Sequence, residues 1–140
     1  MTGEAVTAFM GGVPTRVLGF SAIQLNHENA GITLEQLYAE NMLSNLDAPW
    51  GEVPGTAVER DALGYMHANC GHCHSATEDG IVFPGDLDLM LSVHDTEVEL
   101  TDAYVTAVNQ PNTSFTWYPE IPARIVPQDI AASSIYHRLA

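Results

Sequence analysis

Both cysteines of the chain fall in one pentapeptide, Cys70-Gly71-His72-Cys73-His74. Two thiols one helical turn apart can each form a thioether with a vinyl group of the same haem, and a histidine adjoining the second tether is then held under the iron. On that reading Cys70 and Cys73 carry the covalent bonds and His74 is the proximal ligand. Two other chemistries use the same residues. Cys70-Gly71-His72-Cys73 is also a thiol-disulfide oxidoreductase pattern, and the two thiols with His72 or His74 are donors for zinc or copper. A disulfide joining distant parts of the fold is excluded, because no third cysteine exists.

The surrounding elements favour the haem chemistry. Thr56-Ala57-Val58-Glu59 has the spacing of a capping box, and Val58, Ala62, Tyr65, Met66 and Asn69 line one face of a helix running directly into the motif. The motif therefore begins at a helix C-terminus, whereas an oxidoreductase pair follows a strand and opens a helix. Structural zinc sites recruit a second ligand pair at a distance, and the chain has no second C-x-x-C and no H-x-x-x-H.

Elsewhere the patterning is mostly helical. Thr33-Leu34-Glu35-Gln36 also has capping-box spacing, and Leu34, Leu37, Tyr38 and Met42 predict a helix of about ten residues from Thr33. Before it the chain reads as loop, with a short strand around Arg16 to Phe20. Pro49, Gly51, Pro54 and Gly55 form the best linker. The expected organisation is an N-terminal arm or docking segment over residues 1–55 and a helical domain over 56–140. After the motif, a loop is expected from Glu78 to Gly85, helices over Asp86–Val93 and Thr101–Val108, then proline-broken extended chain carrying Phe115, Trp117 and Tyr118. A last helix, capped at Ser133 or Ser134, carries Ile135 to Leu139.

Composition narrows the partners. With 140 residues, 46% of them hydrophobic, there is enough chain for one core. Eighteen acidic residues oppose four arginines and no lysine, a net charge of −14, so nucleic acid and anionic lipid are poor partners and basic proteins good ones. No apolar run is long enough to span a membrane. Met1-Thr2-Gly3-Glu4 lacks the features of a secretory signal, so the expectation is either a cytoplasmic chain or one whose leader has been removed.

Arg60-Asp61-Ala62-Leu63-Gly64-Tyr65-Met66-His67-Ala68-Asn69 followed by the pentapeptide resembles the helix and motif of bacterial periplasmic c-type cytochrome domains, approximately R-A-x-x-Y-L-x-x-N-C-x-x-C-H. Gly85-Asp86-Leu87-Asp88-Leu89 is similar to the G-x-L-D-L that follows the haem loop. Arg124-Ile125-Val126-Pro127 with Ser134 to Leu139 is similar to a later R-I-x-P-G-x-P-x-x-S-x-L-x-x-R segment, with Gln128 in place of Gly. The likeness covers about residues 56 to 139, and Ala22-Ile23-Gln24-Leu25-Asn26 weakly matches a stretch preceding some such domains.

The resemblance implies a mostly α, cytochrome c-like fold, one covalent haem c held by Cys70, Cys73 and His74, and a periplasmic or otherwise extracytoplasmic location. It also implies a sixth ligand from a methionine on a loop beyond the last arginine-containing segment. The chain ends at Ala140 ahead of any such loop, so the domain is expected to lack its final distal-ligand loop and helix. The alternatives within the chain are Met90, expected to be a core residue, and His94 and His137; another subunit or a five-coordinate iron are the others. The expected function is electron transfer to a redox partner protein, alone or within a larger respiratory or dehydrogenase assembly. A haem enzyme of peroxidase or small-ligand-activating type is the alternative, weakened because His67 and His72 flank the proximal side.

Overall fold

The first long helix begins where Thr56 meets Glu59. In the computed structural model, which describes residues 20–28, 30–43, 51–75, 87–113 and 121–139, the Thr56 hydroxyl accepts the Glu59 N–H at 3.4 Å, and the Glu59 carboxylate accepts the Thr56 N–H at 2.7 Å. That reciprocal cap satisfies two donors a helix start would leave bare. It also holds the Glu59 carboxyl below its ordinary pKa, chiefly through the Thr56 backbone hydrogen bond.

Five α-helices are present among the described residues, with no sheet. They are α1 (Ala22–Leu25), α2 (Leu34–Ala39), α3 (Ala57–Met66), α4 (Asp102–Ala107) and α5 (Ser134–Leu139), with a 3₁₀ turn at Val98–Leu100. The mostly helical expectation holds at that level. Thr33 caps α2 as expected, but the helix stops after six residues, and Asn41 takes a left-handed φ of 55° just beyond it. The loop around 78–85, most of the 16–20 strand and the Phe115, Trp117 and Tyr118 group lie outside the described residues.

Helix α3 packs through a different face from the one its sequence suggested. Leu63 and His67 are buried, Met66 and Cys70 half-buried, while Val58 and Tyr65 are exposed. The inward positions follow i, i+3, i+4, i+7, the spacing of one helical stripe. Sequence patterning does not show this stripe, because it includes a histidine and a cysteine.

The core is small. Leu63, Leu89, Leu91 and Ala103 form its buried centre, with Ile23, Val53, Met66, Leu87 and Val98 packed around it. Each buried leucine stabilises by about 1.5–3 kcal/mol.

The expected helix over Asp86–Val93 is absent from its described part. Residues 87–92 form neither helix nor strand, and two of their N–H groups are directed to α3 and the motif: Leu89 donates to the His74 carbonyl at 2.7 Å and Leu91 to His67 Nδ1 at 3.0 Å. Leu89 and Leu91 are buried and Leu87 is half-buried. Asp88, between Leu87 and Leu89, is buried as well, so the segment packs as an irregular strap across the core, shaped by the hydrogen-bond partners it finds there and not by a local period.

The remaining segments are tied by single bridges. Asn109 donates to the Ile125 carbonyl and Ile125 to that of Ala107, at 2.8 and 3.1 Å. Ser134 and Ile135, at the start of α5, donate to the carbonyls of Ala123 and Arg124. The Arg124-Ile125-Val126 stretch thereby joins the end of α4 to the start of α5. Before α3, Asn26 Nδ2 donates to the Gly51 carbonyl at 3.1 Å. A side chain on Gly51 would strike the Val93 carbonyl, so the glycine there permits a close backbone crossing.

Candidate functional site

Beyond Met66 the chain does not stop turning. His67–Gly71 continues α3 as a π-helical turn, a local widening that recurs at functional sites. Cys70 sits in it, and its carbonyl accepts both the Cys73 N–H at 3.0 Å and the His74 N–H at 2.9 Å. The two cysteines and the histidine thus share one tight turn. Cys73 is exposed, Cys70 half-buried, and neither is in a disulfide.

The strap passes against this turn. A Cβ built on Gly71 would lie 3.1 Å from the Leu89 carbonyl oxygen and 2.7 Å from Met90 Sδ. The variable position after the first cysteine is therefore glycine for a steric reason: the strap's backbone and the Met90 thioether occupy the space a side chain would need. Met90, half-buried, packs on the motif itself.

Asp88 fixes the strap's other side. Its N–H donates to Thr106 Oγ1 at 3.0 Å, its own Oδ1 accepts the Met90 N–H at 2.9 Å, and the Thr106 hydroxyl lies 2.7 Å from the Asp102 carbonyl. Thr106 in turn offers its carbonyl to the Arg124 guanidinium at 2.5 Å. One chain of bonds runs from α4 through the strap to the motif.

Electrostatics bear on which chemistry the turn suits. Burial lowers the His74 pKa, and the positive charges of Arg138 and Arg124 push it further down. The neutral imidazole is thereby favoured, which is the form that ligates a metal. Its Nδ1 is buried. Cys70 moves the other way: burial and the neighbouring Cys73 raise its pKa, against a smaller opposing effect of Arg138. An oxidoreductase needs its first thiolate stabilised, so a half-buried Cys70 with a raised pKa at the C-terminal side of a helix is the reverse of that requirement.

Among the described residues no group of three or more His, Cys, Asp or Glu side chains is placed to hold a metal ion. The donor set of the turn, two thiols with one neutral-biased histidine, fits a haem held by thioethers, where a single protein nitrogen meets the iron and the porphyrin supplies the rest. His94 and His137 are both exposed; His137 Nε2 donates to the Ala131 carbonyl at 2.9 Å.

Sequence reading missed His67. It is 3% exposed, and both ring nitrogens are engaged. Nδ1 accepts from Leu91, so the proton of the neutral ring is on Nε2, which donates to Ser21 Oγ at 2.8 Å. His67 therefore joins the segment before α1, helix α3 and the strap. No local pattern in Leu87 to Leu91 announces the strap it holds, because Asp88 is buried along with Leu89 and Leu91.

Comparison with protein families, with characterised proteins and with solved structures finds no match to this chain.

Proposed function

We propose that the chain is a c-type cytochrome domain carrying one covalent haem, bonded to Cys70 and Cys73 and ligated by His74, and that it transfers single electrons to a partner protein outside the cytoplasm. The observation that carries this reading is the shared turn, with Cys73 and His74 both hydrogen-bonded to the Cys70 carbonyl and His74 biased to its neutral form. The haem would supply the iron's one-electron couple. The chain's own residues hold the site: the strap buttresses the turn from Leu89 to His74, burial with the charges of Arg138 and Arg124 biases the imidazole toward its neutral form, and His67 binds the strap to α3. No helix among the described residues is long and apolar enough to cross a membrane.

The test is a reduced pyridine haemochrome spectrum together with intact mass, on protein made in a host that attaches haem c. A c-type α-band and a mass excess of one haem are expected, both lost in the Cys70→Ala, Cys73→Ala double variant. An apo mass for the unsubstituted protein overturns the proposal.

A further inference from the structure

A groove of about 1270 Å³ lies between α1, α2 and the face of α3 turned away from the core. Its walls carry large apolar side chains left in water: Phe20 is 82% exposed, Ile32 61% and Tyr65 53%. Exposed apolar groups gathered around one concavity are a recurrent mark of an interaction site, whereas single ones are not. The same walls are acidic, with Glu28, Glu35 and Asp61 on them. The Arg60 guanidinium, also on the wall, is 3.8 Å from the Glu52 carboxylate, which offsets its charge.

We infer that this groove binds a basic, amphipathic segment of a partner protein, its apolar side chains seated among Phe20, Ile32 and Tyr65 and its lysines or arginines toward the carboxylates. The charge pattern selects this occupant. Anionic lipid and nucleic acid are repelled by the same carboxylates and by the chain's net charge of −14. A purely apolar segment would leave them without counter-charges. Helix-in-groove recognition reads apolar anchors at i, i+3, i+4 and i+7, with opposite charges setting orientation and on-rate. The groove lies on a different face of α3 from the one that leads into Cys70, and the inference does not depend on haem attachment.

The test uses the full chain and a fluorescein-labelled peptide of about 14 residues, with leucines at helical spacing and lysines elsewhere, against a scrambled peptide of identical composition. Fluorescence anisotropy should show the amphipathic peptide binding at least about tenfold more tightly than the scrambled one. Ile32→Asp and Phe20→Asp are expected to weaken it at least about tenfold, although each adds a negative charge that by itself would strengthen a cationic ligand. Leu100→Asp, at a site 69% exposed outside the groove, should leave binding within about twofold. Circular dichroism checks that each variant is folded; two groove variants guard against the loss of one. Equal affinity for both peptides, unchanged or tighter binding by folded groove variants, or no binding at all overturns the inference.

Discussion

The Leu91 N–H donates to Nδ1 of His67 at 3.0 Å, so a buried histidine on the helix leading into the cysteine turn holds the strap that lies against that turn. Since the opposite ring nitrogen reaches Ser21, one side chain ties together three stretches of chain separated by 46 and 24 positions. Its loss should be felt well away from residue 67.

Protonating His67 would set an N–H against the Leu91 N–H. Burial, with a further contribution from His72, lowers its pKa from the ordinary 6.5. The unfolded chain takes up this proton near the ordinary value and the folded chain resists it. The stability associated with the neutral ring is therefore complete above pH 6.5 and is lost as pH falls through the folded pKa. Urea unfolding of the apo chain at about pH 7.5 and about pH 5.5 should show lower stability at the acid end. His74 shifts in the same direction, so the contrast is with His67→Gln, in which the pH slope should be shallower. Equal slopes would remove His67 as the cause. His67→Ala should cost about 1–3 kcal/mol at neutral pH, because Leu91 is left with a buried unbonded donor.

Gly71→Ala places a methyl against the Leu89 carbonyl and the Met90 thioether. We expect a loss of about 1–3 kcal/mol in chemical denaturation. Combining it with Met90→Ala should lose less than the sum of the two single changes, because the flexible thioether is the nearer obstacle, at 2.7 Å. Full additivity would mean that Met90 does not press on the turn.

Thr106→Val removes the acceptor of the Asp88 N–H while keeping the side chain's shape. Asp88 is 8% exposed, so the orphaned donor should cost about 1–3 kcal/mol. Thr106→Ser retains the hydroxyl and should recover most of it. Thermal unfolding of the two variants side by side makes the comparison.

In apo protein the two thiols should differ in reactivity. Cys73 is exposed, whereas Cys70 is half-buried with its pKa raised. An aromatic disulfide reagent at about pH 7.5 should modify Cys73 several-fold faster, of the order of tenfold, as read from the single-cysteine variants. A faster Cys70 would revive the oxidoreductase chemistry.

Chemistry that depends on near neighbours was legible in the residues themselves. The pentapeptide 70–74 closes within one turn, so its two thiols and histidine come together whatever the rest of the chain does. Capping at Thr56 and Thr33 is equally local, because a side chain there bonds an N–H only three residues on, whereas Ser133, expected to cap α5, spends its hydroxyl on the Val126 N–H and the Asp129 carbonyl. The predominance of helix was likewise readable from patterning.

What backs the motif was decided only by tertiary structure. Leu87 to Leu91 has a composition that suits a helix, yet it forms none, because the His74 carbonyl and His67 Nδ1 offer its N–H groups partners from another segment, and Leu89 and Leu91 are buried against the core there. The inward face of α3 was hidden for the same reason: a histidine is polar until both its nitrogens are satisfied, and Ser21 and Leu91 lie too far along the chain for any local pattern to announce them. Local hydrogen bonds are written in spacing, whereas a buried polar group becomes core only when distant residues arrive to pair with it.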